Sequence, residues 1–250
     1  MKKLLIIFVL FGLVLTSCEE DEVIPENPDL TKANIEGTVN LFDEFGTPVN
    51  KWQMIVSAKQ GEYLNFWGET EKDGSFIILN AKYHSNYTIV YEKEGFGTYK
   101  IFAFNHENNG GIGQITETPT LGEKSSTTVD QLKADVIDDS LELEVTLGDS
   151  NRRGKKYIRF LFHTIPQISN EVFSHYTGRF TMVSNNHTLV LTKEYLQEIG
   201  LESGVEYYVQ CYGASYYSNG YFDEDELRYV LPNLGFPENG STPTESFIMP

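Results

Sequence analysis

Cysteine is almost absent: the chain of 250 residues carries two, Cys18 and Cys211. A disulfide framework is thereby excluded, and stability must come from burying apolar surface. Basic residues are also scarce, 19 against 36 acidic ones, for a formal charge of −17. A chain this acidic is repelled by phosphate and gains nothing from counterion release, so nucleic acid is not expected as a partner. Long hydrophobic runs are missing too. The apolar block Leu4–Leu15 falls well short of the roughly 20 residues a membrane-spanning helix needs. Spaced metal ligands are lacking: His163, His175 and His187 recur at intervals far wider than the two to four residues that one strand or helix requires. Gly148-Asp149-Ser150 runs on into Asn151-Arg152-Arg153-Gly154 and reads as a loop, and Asn109–Gly113 has neither the glycine order nor the following helix of a phosphate cradle. No pair of carboxylates is singled out for glycosidase chemistry. The expectation is a protein that is not an enzyme and holds no metal and no cofactor.

What is present begins at the N-terminus. Met1-Lys2-Lys3 precedes the apolar block, which closes on Leu15-Thr16-Ser17-Cys18. This pattern resembles the lipobox of bacterial lipoprotein signals, which implies a signal peptide over residues 1–17 and a lipidated Cys18 that holds the chain at a membrane. Glu19-Glu20-Asp21-Glu22 follows and is similar to the signal that sends Bacteroidetes lipoproteins to the outer face of the outer membrane. The resemblance implies an anchored protein facing the cell exterior. Loss of Lys2 and Lys3 with the signal would take the charge from −17 to −19. Residues 18–32 are acidic, contain Pro25 and Pro28, and read as a flexible tether; fully extended it would reach about 50 Å.

The remainder reads as all-β, with two antiparallel β-sandwich domains in tandem, residues 33–122 and 123–250, on either side of a composition break near Glu117–Thr128. In the first, Ile35, Gly37, Val39 and Leu41 alternate with polar residues. Asp73-Gly74 between extended runs is a strong hairpin signal. Phe76–Leu79 and Tyr87–Tyr91 are further strands. Ile35-Glu36-Gly37-Thr38-Val39, Gly46-Thr47-Pro48-Val49, Thr70–Phe76 and Tyr87–Phe96 together resemble the carboxypeptidase regulatory-like domain. That is a transthyretin-like sandwich found as an accessory module, and the resemblance implies no peptidase activity. Gly97–His106 is longer and more aromatic than that pattern, as for an edge strand or a partner surface. In the second domain Leu141–Leu147 and Tyr157–Phe162 are strands. Leu201-Glu202-Ser203-Gly204-Val205-Glu206-Tyr207-Tyr208-Val209 is similar to the signature around strand F of fibronectin type III domains, where the tyrosine bonds to upstream backbone; this implies a structural role for Tyr207. Thr192 as N-cap and the spacing of Tyr195, Leu196 and Ile199 predict a short helix. Alternation puts Tyr207, Val209 and Cys211 on one face, so Cys211 is expected to be a buried, inert thiol.

After that strand come Tyr216, Tyr217, Tyr221 and Phe222, then Asp223-Glu224-Asp225-Glu226. Aromatic loop residues at the end of a sandwich offer flat faces to a sugar ring or a partner protein, so these four are the candidate ligand-binding residues. The acids have oxygens suited to calcium but lack the spacing of a known loop, and read as a solvated charge run. Asp139-Ser140-Leu141 resembles a three-residue O-glycosylation acceptor. The expected function is a membrane-anchored surface lipoprotein that binds glycan or protein without catalysis. The alternative is a structural spacer or assembly subunit with no small ligand.

Overall fold

Alternation of apolar and polar residues recurs along most of the chain, and a computed structural model shows it resolved almost entirely into strands. The structure describes residues 31–61, 63–148, 155–235 and 242–250; Cys18, the signal and most of the tether lie outside them. The first half contributes β1 Lys32–Thr38, β2 Asn40–Phe42, β3 Ile55–Gln60, β4 Leu64–Glu69, β5 Ser75–Lys82, β6 His84–Lys93, β7 Gly97–His106, β8 Gly113–Gln114 and β9 Thr120–Gly122. The second contributes β10 Val129–Ile137, β11 Ser140–Leu147, β12 Lys156–His163, β13 His175–Tyr176, β14 Phe180–Met182, β15 Asn186–Thr192, helix α1 Lys193–Glu198, β16 Glu206–Ala214, β17 Tyr221–Asp223, β18 Arg228–Val230 and β19 Thr244–Ile248. The fold is all-β, in mostly antiparallel sheets, with parallel pairing at β1–β8 and β2–β9.

In the first lobe a four-stranded sheet β4-β3-β6-β7 covers a three-stranded sheet β5-β1-β8. The inward residues of each strand, among them Ile35, Val56, Ala58, Phe76, Ile78, Ile89 and Tyr91, form one apolar cluster. Phe76 meets Tyr91 edge to face at 5.9 Å between ring centroids. Burying a side chain of this size contributes about 1.5–3 kcal/mol. The Asp73-Gly74 turn forms, with Gly74 at φ 90° and its N–H on the Glu71 carbonyl at 3.0 Å. The hairpin it begins does not continue as a ladder. After the single bridge Thr70–Phe76, β4 and β5 part into different sheets. Gly68 allows the crossing, since a Cβ there would lie 2.2 Å from the Ile77 carbonyl oxygen.

The second lobe packs β10-β11-β15 against β13-β12-β16-β19, with β14 also on β12. Leu141, Leu143, Val145, Ile158, Phe160, Phe162, Val209 and the fully buried Cys211 fill the space between. Burial pushes the Cys211 thiol well above its usual pKa, as an inert thiol requires. α1 forms where the sequence predicts it, and the Thr192 hydroxyl accepts the Tyr195 N–H at 3.3 Å. The Tyr207 hydroxyl accepts the Glu202 N–H at 3.2 Å and so ties the strand to backbone just upstream.

Thr31–Pro250 is nonetheless one compact unit. The segment between the two apolar clusters is pinned: β9 pairs in parallel with β2, and the Ser126 N–H and hydroxyl both donate to the Glu44 carboxylate, at 2.7 and 2.6 Å. Buried Asn219 reaches from the second half of the chain into the first. Its Oδ1 accepts the Gly122 N–H at 2.7 Å, while its Nδ2 donates to the Phe96 and Gly122 carbonyls at 2.7 and 2.8 Å. Asn233 adds a bond from Nδ2 to the Tyr217 carbonyl at 2.8 Å.

Candidate binding face

The aromatic loop singled out in the sequence lies at this junction. Tyr217 packs on Phe42, their ring centroids 4.4 Å apart. Tyr221 stands edge-on to Tyr99 at 5.8 Å and lies 6.4 Å from Phe102. Both rings therefore meet the first lobe, and the long aromatic strand Gly97–His106 serves as the edge they rest against. Tyr216 is 40% exposed and Phe222 51%, so these two keep an accessible face. The acidic run is divided. Asp223 is buried and pairs with Lys100 at 2.8 Å, and it accepts the Asp225 and Glu226 N–H groups at 3.1 and 3.2 Å. Burial opposes its charge, but the Lys100 ammonium and these backbone donors outweigh burial and hold its pKa below the usual carboxylate value. Glu224, Asp225 and Glu226 stay exposed.

By leaning on β7, the β17–β18 hairpin walls one side of the outer face of the four-stranded sheet. That face is built by strand alternation. Register aligns Trp67, Ser57, Val90 and Lys100 in one row across the four strands, and Glu69, Ile55, Glu92 and Thr98 in the next. Trp67 is 61% exposed on a strand whose alternate residues Leu64 and Phe66 pack inward. A hollow of about 310 Å³ opens beside this row, lined by Lys59, Thr88, Glu92, Thr98, Lys100 and Asp225. A second, of about 450 Å³, adjoins it and shares Glu92 and Thr98. Lys59 and Glu92 face each other at 3.5 Å. The sheet thus carries an exposed indole on its β4 edge and donors and acceptors of both charges toward its β7 edge, groups of the kinds that orient a polyhydroxyl ligand.

Sequence reasoning missed this face. The signal was the alternation Leu64-Asn65-Phe66-Trp67, which places Trp67 opposite to two core residues. The histidines do not converge in their bonding: His163 Nδ1 accepts the Ile165 N–H, His175 Nδ1 bonds the Ile199 carbonyl and His187 bonds Ser184. No group of three metal-ligating side chains occurs among the described residues.

No family model matches the chain, and no curated protein does. Among solved structures it is similar to a candidate carbohydrate binding protein of Bacteroides uniformis, with a TM-score of 0.33 and 12% identity over 86% of this chain and 98% of that one. It is also similar to DUF3823 family proteins of Parabacteroides merdae (TM-score 0.27, 9% identity, 82% and 97% covered) and Bacteroides ovatus (0.25, 10%, 81% and 96%).

Proposed function

We propose that the chain is the non-catalytic binding module of a lipid-anchored lipoprotein on the exterior of the outer membrane, and that it recognises glycan on the outer face of the four-stranded sheet. The observation that carries this reading is the hollow lined by Lys59, Thr88, Glu92, Thr98, Lys100 and Asp225, on a sheet whose edge strand β4 carries the exposed Trp67 at the far end of the same row. An oligosaccharide laid across the strands would bury the C–H face of one ring on the indole while the hydroxyls of another meet ammonium, carboxylate and threonine partners.

Glycan-array binding by the detergent-solubilised chain, compared with a Trp67→Ala variant, tests the reading. Loss of the indole platform should weaken binding at least tenfold, about 1.4 kcal/mol or more, with the melting temperature unchanged because the ring is exposed. An array that shows no glycan bound by the parent rejects it. The second reading, a structural spacer or assembly subunit, is favoured by the interlock through Asn219 and Glu44, which joins the two lobes as one body. It expects a recurrent protein partner from membranes and no glycan.

A further inference from the structure

Two arginines of the second lobe, Arg159 on β12 and Arg179 just before β14, have unusual surroundings. Where acidic residues outnumber basic ones 36 to 19, cations are expected to meet carboxylates, and Lys59, Lys100, Lys133 and Arg228 each do. Arg159 and Arg179 do not: among the described residues neither forms an ion pair, and both guanidinium groups lie over tyrosine rings instead. Arg159 sits 5.3 Å from the centroid of Tyr176, which stacks on Tyr229 at 5.2 Å and 14°. Arg179 sits 4.8 Å from Tyr157 and 4.3 Å from Tyr216. Tyr157 and Arg159 are two apart on β12 and share one face of it, the face on which Tyr157 and Leu161 pack into a third apolar cluster with Tyr212, Leu231 and Leu234.

Their bonding is incomplete. Arg159 is half-buried, and its Nε is shielded from solvent without any hydrogen-bond partner. Arg179 is exposed and donates only to the Tyr216 carbonyl. The other arginine among the described residues, Arg228, is committed to Glu171 at 3.0 Å. Ring faces return part of the hydration a guanidinium loses on burial, but two neighbouring planar forks with free donors and no counter-charge are the donor set that an oxyanion completes. Burial, with Arg179 acting in the same direction, lowers the pKa of Arg159 against the opposing pull of Tyr176 and Tyr229; a bound anion would relieve that penalty.

We propose that Arg159 and Arg179, with the exposed ring of Tyr216 beside them, form a second recognition site for a single oxyanion carried on a sugar ring, a uronate carboxylate or a sulfate ester. A sparse anion suits the molecule because its net charge of −17 repels polymers that bear a charge at every unit. The site stands on different residues from the sheet face that carries Trp67, so either can fail without the other.

Calorimetry on the full chain in detergent decides the matter with three probes: a tetrasaccharide with one terminal glucuronate, its neutral reduced counterpart, and the same scaffold bearing one sulfate. The expected result is tighter binding of at least one charged probe than of the neutral one, weakened by added salt. Arg179→Gln should reduce that preference at least tenfold. Arg159→Lys, which keeps the charge and removes the fork, should do the same in a protein whose melting temperature shows it folded. Trp67→Ala should leave the charged-over-neutral preference unchanged. Sulfate bound and glucuronate ignored would identify the anion as the ester. Equal binding of charged and neutral probes overturns the proposal. So does a charged-probe preference that survives both arginine variants, or one that only Trp67→Ala abolishes.

Discussion

Asn219 uses its whole side chain on backbone: one N–H accepted and two carbonyls satisfied, all from the other half of the chain and all buried. Removing it strands several polar groups away from water, and each stranded group costs about 1–3 kcal/mol. Asn219→Ala should therefore destabilise the protein by about 2–4 kcal/mol, read as a lower urea midpoint. The effect separates this residue from its exposed neighbour Ser218, whose substitution should fall within about 0.5 kcal/mol. The residue roles that the sequence made legible were local ones. Cys211 and Tyr207 lie on the core face that alternation assigned them, and Tyr207 finds its backbone partner five residues upstream. Asn219 was illegible because its partners lie at Phe96 and Gly122, about a hundred residues away.

Among elements, the contact of β7 with the β17–β18 hairpin depends on ionisation. The Asp223 pKa is lowered in the fold, so its contribution is present above the unfolded value and lost as pH falls through the folded one. The Lys100 pKa is raised: burial works against its charge, and the bond to Asp223 together with the nearby negative groups outweighs it. That contribution is present below the unfolded lysine value and lost as pH rises through the folded one. The pair is therefore intact across neutral pH. Asp223→Asn should cost about 1–3 kcal/mol at pH 7 and should flatten the fall in stability below about pH 4, as measured by denaturant midpoints across a pH series. A parallel acid limb in the variant would assign that limb to other carboxylates. The Asp73-Gly74 turn and the capped α1 were readable as elements because their signals lie within a few residues. The splaying of β4 from β5 was not, because it follows from the passage of the Ile77 carbonyl close to Gly68.

For the whole molecule, the anchor and the body make separable claims. The lipobox resemblance leads us to propose attachment through Cys18. A Cys18→Ala protein should then appear in the soluble fraction, and continued partition with membranes that resists washing would refute the lipid. By itself the sequence determined the all-β class, the positions of most strands, the helix start and the buried faces, because each follows from side-chain period, turn residues and caps that act over short spans. Only the tertiary structure decided what those strands present to solvent. The aromatic loop looked like an open surface in sequence, yet Tyr217 and Tyr221 are half-buried against the first lobe, while Arg159 and Arg179 come to lie over Tyr176 and over Tyr157 and Tyr216, rings from separate segments of the chain. Burial depends on which surfaces meet, and that information resides in packing between segments about a hundred residues apart rather than in any local pattern.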